Sequence, residues 1–482
     1  MVFAIPNHPW VDEKDGAAVR IAMTVGEKGK SEGQLLSVVD ESAAPERIDF
    51  SRTNSHLSGD LRSGTSVTSS GALSANRRIA VKGVVLHGEG FILSQKDGHS
   101  IIVSDLRYKG VVKPYRNGQD IVNKSKNRFV IDFFGYNEHQ CKMEFPIAYQ
   151  HVRLNVKPER DSNRREIRRK NWWLFGETVP ALREAVISLS RYIVTVRTAK
   201  HRTFVFLDSE ILPESRLVAV GSDDAYFLGV LSSRAHVAWA LAWGARLGVG
   251  DDPNYNNSEC FDTFPFPADV PEPLKDRIRV EAEALDALRK RVLAEHDDLT
   301  LTRLYNVLEA LKAGRALGEA ERDIHDRGLV SLIRQHHDAI DALVAQAYGW
   351  ADEWNRGDLS DEAILTRLVA LNHERAAEEA RGLIRWLRPE YQAPDYAPPV
   401  TQSLDLGEAM AALPDTVIPW PGTLPEQVSA VQGILAASAA PLAPQDVARA
   451  FKGKRAATVR PVLDALTGIG MARRLQDGRY AA

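Results

Sequence analysis

The sequence predicts a multidomain α+β protein. Three observations carry that expectation. At 482 residues the chain is too long for one ordinary core and suggests about three domains. Short strand-like and helix-like runs, interleaved with Gly, Pro and aromatic residues, fill residues 81–267, whereas apolar positions at helical spacing dominate after Pro271. Two stretches with neither pattern, one rich in Ser, Thr, Asn and Gly and one rich in Pro, separate these blocks from their flanks.

In chain order, the first block is an edge. Val19, Ile21, Met23 and Val25 alternate on one strand face, a turn follows from Gly26 to Gly33, and Gln34–Val39 returns as the second strand of a hairpin. Two strands do not fold alone. They are expected at the edge of a sheet whose other strands lie outside the sequence, or packed on a later domain. Residues 51–76 read as a flexible linker. The mixed domain has strand candidates at Arg128–Phe134, Tyr192–Thr198, Thr203–Leu207 and Leu217–Val220. In the helical block Leu274, Ile278, Leu285, Leu288 and Val292 share one face, and Leu329 to Ala347 repeat the pattern. Ser360 caps a further helix, with acids in its first turn and Leu359 stapled to Ile364, running to Leu387. Residues 391–425 are a second linker. Helices over Glu426–Ala437, Pro444–Phe451 and about Ala456–Leu466, then a hairpin turning at Asp477-Gly478, make a winged-helix pattern. Pro461 must lie in the first turn of its helix or bend it.

Composition narrows the class. With 44% hydrophobic and 26% charged residues, a folded, soluble chain is expected. No run reaches the roughly 18 apolar residues of a membrane helix, and the N-terminus lacks the basic and apolar regions of a signal peptide. Cys141 and Cys260 form no metal-spacing motif, so a reducing cytoplasm is the simpler location. The net charge of −3 by itself argues against nucleic acid. It hides a local asymmetry: Lys157–Lys170 holds seven Lys/Arg against three acids, a net +4.

That basic segment is the first candidate site. Lys157, Arg160, Arg164, Arg165, Arg168, Arg169 and Lys170 precede Trp172-Trp173. Arginine forks onto phosphate or guanine, and cations on a duplex release condensed counterions. The plain alternative is a solvated charged helix with both tryptophans in the core. A second basic feature, Arg197 with Lys200, His201 and Arg202, lies between two strand-like runs and could place a basic tip in a groove. A third, Arg116-Asn117 in an Asn-Gly turn that also presents Gln119, offers side chains that read base edges; an ordinary turn is the alternative. No catalytic pattern stands out in the sequence. The Asn/Asp/Ser-Pro-Pro-Tyr/Phe loop of amino-methyltransferases is missing, Asp252-Pro253-Asn254-Tyr255 being a near-miss, and Gly88-Glu89-Gly90-Phe91 lacks the strand–glycine–helix context of a cofactor loop. His325, His336 and His337 read as helix-face residues, and no metal site is expected.

Several phrases together resemble the class I SAM-dependent, adenine-specific DNA methyltransferases of the MmeI-like (type IIL) restriction–modification group. Asn7-His8-Pro9-Trp10-Val11-Asp12 and Asp15 to Met23 look like the last strands of that family's methyltransferase domain. Gly88–Phe91, Lys113–Asp120, Val130–Phe133, Lys157–Gly176, Ala199–Arg202 and Phe261–Pro267 look like its target-recognition domain, and Tyr305–Leu308 falls in its helical C-terminal region. The resemblance spans roughly residues 5–390 and, together with the residue patterns beyond it, gives an expected layout. Residues 1–50 are terminal methyltransferase strands, 51–80 a linker, 81–268 the DNA target-recognition domain, 269–390 a helical domain, 391–425 a linker and 426–482 a winged-helix-like domain.

The implied function is target selection for adenine N6 methylation in a restriction–modification system. The implied partners are double-stranded DNA and a separately encoded N-terminal methyltransferase half, with no membrane. S-adenosylmethionine is expected in the complete enzyme but not on this chain alone, which is expected to be inactive by itself. The arrangement fits a split subunit, a truncation or a misassigned start. Two other readings are a scaffolding subunit for a separate methyltransferase or nuclease, and an inactive remnant. The winged helix is basic through Lys452, Lys454, Arg455, Arg460, Arg473 and Arg474, which favours DNA over protein docking.

Overall fold

In a computed structural model of the chain, the described residues are 1–9, 20–29, 32–40, 49–55, 57, 65–244, 246–247, 252–394, 418–438, 441–468, 471–475 and 478–481. Two compact units emerge, residues 1–396 and 397–482.

The first unit opens with a four-stranded sheet, β1 (Phe3–Pro9), β2 (Arg20–Val25), β3 (Gly33–Asp40) and β4 (Asp49–Ser55), in the order β2-β1-β3-β4. The expected hairpin is corrected here. β1 lies between the two strands assigned to it, antiparallel to β2 and parallel to β3. A parallel neighbour is invisible to local turn signals, because its partner is not adjacent in sequence. Among the described residues, Ala4, Leu35 and Leu57 form a small cluster with Met1 packed against it, Ile5 and Leu36 are also buried, and edge residue Val25 is 53% exposed.

The polar stretch after β4 departs from the linker expectation. Val67–Ser69 and Ser74–Asn76 are short 3-10 turns, and Val67, Leu73 and Asn76 are buried. The Asn76 amide donates to the carbonyls of Phe261, Asp262 and Phe264 at 2.8–3.2 Å. The Glu379 carboxylate accepts from the Ser74 and Ala75 amides, and Asn372 bonds Gly71 in both directions. Side-chain amides and carboxylates thus satisfy a backbone with no ladder of its own.

Two further sheets follow. β5 (Ala80–Lys82), β9 (Arg191–Val196), β10 (Phe204–Asp208) and β12 (Leu217–Val220) run in the order β10-β9-β12-β5. β6 (Ile92–Leu93), β7 (Val112–Arg116), β8 (Phe129–Ile131) and β11 (Leu212–Pro213) run in the order β11-β7-β8-β6. The predicted strands are found within a residue or two, except that the 128–134 candidate is shorter at its C-terminal end. A small ladder pairs β13 (Arg246–Leu247) with β14 (Asp252–Pro253).

The helical block is continuous with this core. Helix Glu272–Glu295 buries Leu274, Ile278, Leu285, Leu288 and Val292, and Gly229 of helix Ala225–Ser232 lets Ile278 approach its backbone. Arg289, only 1% exposed, donates to the Phe204 carbonyl (2.8 Å) and to the Tyr305 hydroxyl (3.0 Å), which bonds His337 Nε2 in turn. Ser360 caps helix Asp361–Ala380 by accepting from the Ala363 amide, with Leu359 and Ile364 buried; the helix stops at Ala380, short of Leu387. Cys141 and Cys260 are buried free thiols.

The second unit contains helices Leu424–Ala437, Pro444–Arg449 and Ala456–Gly468, and a ladder of β15 (Arg473–Arg474) with β16 (Tyr480–Ala481). Pro461 sits inside the third helix, beyond its first turn. Asp477 lies outside the described residues; Gly478 adopts φ +82°. Among the described residues of the chain, no helix is long and apolar enough to cross a membrane.

Candidate nucleic-acid interface

The basic segment folds as two short helices, Lys157–Asp161 and Glu166–Lys170. Its cations divide by burial. Arg160 is 1% exposed, so the expectation that it faces a ligand is corrected: its guanidinium donates to the Leu86 carbonyl (2.8 Å) and lies 5.8 Å over the Phe91 ring. Arg168 is half-buried and donates to His87 Nε2 (2.7 Å), a ring kept neutral by burial and by the nearby arginines. Arg164, Arg165, Arg169 and Lys170 are exposed. Arg164 and Arg165 carry no ion pair among the described residues. Arg169 donates to the Asn163 carbonyl (2.6 Å), and Lys170 pairs with exposed Glu166 (2.8 Å), an interaction too solvated to hold it. Lys157 pairs with Asp161 (2.8 Å). Trp172 is buried, and Trp173 Nε1 donates to the Tyr136 carbonyl, so both tryptophans anchor the segment instead of meeting a ligand.

The second basic feature also divides. It lies between β9 and β10. Arg202 is buried and donates to Thr195 Oγ1 (3.0 Å), the Val196 carbonyl and the Pro253 carbonyl (3.0 Å), beneath the Tyr255 ring. Burial depresses its pKa to about 10. The expectation that it contacts bases is therefore corrected: it is a structural clasp. Lys200 and His201 both donate to Asn306 Oδ1, at 2.9 and 2.8 Å, and Lys200 also reaches Glu309 (3.1 Å). Helix Leu301–Lys312 thereby holds the loop in place.

The expected Asn-Gly turn proves to be a helix start, with Asn117 as its cap. Its side chain accepts from the Asp120 amide and the Asp120 carboxylate accepts from the Asn117 amide, opening helix Gly118–Val122. Arg116 donates to the Tyr115 carbonyl (3.0 Å) and to Asn127 Oδ1 (2.8 Å). Beside them are two adjoining hollows, about 300 and 260 Å³, that share Gln119, Val122 and Thr198. Arg197, Arg216 and Asn254 line one; Lys200, His201 and Asn123 line the other. No local pattern singled out Arg216, which reaches this place because β12 lies beside β9 in the sheet. The fold thus brings Gln119, Arg197, Lys200 and His201 together. The 164–170 cations line neither of these two hollows.

The two phrases nearest to catalytic loops are packing elements. A Cβ at Gly90 would collide with the Asn155 carbonyl, Gly88 adopts φ +126°, and Phe91 packs edge-on against Phe175 at 5.0 Å. In the Asp252–Tyr255 phrase, the Pro253 carbonyl accepts from Arg202, and Tyr255 is fully buried with its hydroxyl on His236 Nε2 (3.0 Å). That ring cannot stack on an extruded base. Neither phrase fits S-adenosylmethionine. Among the described residues no group of His, Cys, Asp or Glu is placed to hold a metal ion.

Residues 67–268 match the family described as MmeI, target recognition domain. The chain carries an MmeI-type target recognition domain. The match begins at Val67, inside the stretch expected to be a linker, where Asn76 and Asn372 stitch the backbone into the core. In fold, the chain is similar to the structure titled as that of the type IIL restriction-modification enzyme MmeI in complex with DNA. The TM-score is 0.58 at 16% identity, over 78% of this chain and 46% of that one, so this chain spans about half the length of that enzyme. No curated protein matches the chain.

Proposed function

We propose that this chain selects the DNA target of a site-specific adenine N6 methyltransferase of a restriction–modification system. The observation that carries the reading is the target-recognition match over residues 67–268, within which exposed, weakly held cations line residues 164–170. In this reading Arg164, Arg165, Arg169 and Lys170 hold phosphates, while Arg116, Gln119, Arg197, Lys200 and Arg216 lie at or near base edges. Methyl transfer belongs to a separate methyltransferase half that supplies the S-adenosylmethionine site. The sheet β2-β1-β3-β4, with Val25 exposed on its edge strand, is where that half docks. The setting is cytoplasmic.

Changing Arg164, Arg165, Arg169 and Lys170 together to Ala should lower the slope of log affinity against log salt by roughly 3–4, about 0.9 per phosphate contact. An unchanged slope would remove the phosphate assignment. A methyl-transfer assay on adenine, run with the chain alone and then with the methyltransferase half, tests the division of labour. Transfer by the chain alone would overturn it.

A further inference from the structure

The C-terminal unit has no part in the function above. It has its own core, built from Val431, Leu435, Val447, Val459, Leu463 and Tyr480. Residues 418–482 hold eight Lys/Arg against four Asp/Glu, a net +4 in a chain of net −3 that leaves −7 for residues 1–417.

These cations are concentrated. Lys452, Lys454 and Arg455 crowd the turn that enters helix Ala456–Gly468, Arg460 stands on its outer side, and Arg473 and Arg474 form β15; all six are exposed. The helix and the ladder are clamped together. The Tyr480 hydroxyl donates to Asp464 Oδ1 (2.6 Å), one turn beyond Arg460. Arg474 lies 5.8 Å over the Tyr480 ring and 3.9 Å from Asp464. Arg460 and Arg474 both act electrostatically on the Tyr480 hydroxyl that ties the helix to the ladder. Lys452, Lys454, Arg455, Arg460 and Arg473 have no ion pair among the described residues.

The fold itself does not need them there. The first turn of the helix holds no acid, and cations beside a helix N-terminus repel the positive end of its dipole. An arrangement that opposes local stability and leaves its cations unpaired suits an external polyanion. A 13-residue helix is about 20 Å long and about 10–12 Å across, which matches a major groove about 12 Å wide, with the ladder beside it reaching the flanking backbone.

We propose that the C-terminal unit is a second duplex-DNA contact, separate from the target-recognition domain, that grips phosphates through Lys454, Arg455, Arg460 and Arg473 without reading sequence. It adds affinity for any duplex. The proposal does not rest on the function assigned to residues 67–268.

The test is fluorescence anisotropy of the full chain on a random-sequence duplex of about 30 base pairs across a KCl series. The Lys454→Ala, Arg455→Ala, Arg460→Ala, Arg473→Ala variant should bind at least tenfold more weakly at low salt. Its salt slope should fall by roughly 3–4. Its melting temperature should not fall, because all four side chains are exposed and the two before the helix oppose its dipole; the single Arg473→Glu variant provides a second reading should the quadruple variant fold poorly. A chain with Arg164, Arg165, Arg169 and Lys170 changed to Ala should lose further affinity when the two sets are combined. Unchanged affinity and slope would overturn the proposal and favour a protein-docking role. An equal loss on duplex RNA of the same length would also overturn it, leaving a general polyanion surface.

Discussion

Arg202 distinguishes a DNA-reading arginine from a structural one. Replacing it with Met keeps the apolar stem and removes the guanidinium. Three buried acceptors then lose their donor: Thr195 Oγ1, the Val196 carbonyl and the Pro253 carbonyl. At about 1–3 kcal/mol per orphaned buried group, that loss is roughly 6 kcal/mol. An opposing effect comes from relieving the burial of the charge. Its pKa, depressed from 12.5 to about 10, sets this relief at roughly 3 kcal/mol. Loss of the donors wins, and the variant should be destabilised by about 3 kcal/mol. Urea denaturation should show the change as a lower midpoint at unchanged slope. Arg202→Lys should recover only part of it, since an ammonium cannot fork across acceptors on β9 and β14. Sequence preference on a randomised duplex library should not change while the protein remains folded. Stability within about 1 kcal/mol of the parent, together with altered sequence preference, would refute the clasp and restore Arg202 to the DNA surface.

Three further outcomes follow from the geometry. Gly90→Ala should destabilise the chain by at least about 2 kcal/mol, because its Cβ would meet the Asn155 carbonyl in a packed core; thermal melting reads this, and wild-type stability would contradict it. Burial raises the Asp262 carboxyl from 3.8 to about 7, with Arg77 opposing, so its protonated form belongs to the fold. That contribution is complete below about pH 4 and is lost as pH rises through 7, so Asp262→Asn should match the parent near pH 4 and exceed its stability at pH 8; denaturation midpoints at the two pH values test the sign. Asn306→Ala releases His201 and leaves Lys200 paired with Glu309 alone, and should weaken DNA binding several-fold while changing stability by less than about 1 kcal/mol, whereas unchanged affinity would detach this loop from the interface.

The sequence by itself determined the local features. Ser360 was legible as a cap because its bond to the Ala363 amide closes within four residues. The strands near 192–198, 203–207 and 217–220 were legible because alternation and turn residues lie within each run. The net +4 of residues 157–170 marked a basic region for the same reason. Tertiary structure alone decided which of those cations reach solvent. Arg160 and Arg164 look alike in sequence, yet the Leu86 carbonyl, contributed by a segment 74 residues away, withdraws one of them into the core. Arg202 and Lys200 are divided in the same way, by Pro253 and by Asn306. The insertion of β1 between β2 and β3, and the stitching of residues 65–80 by Asn372 and Glu379 from some 300 positions away, were likewise hidden. Charge and periodicity are properties of neighbours in the chain, whereas burial depends on partners that only folding brings near.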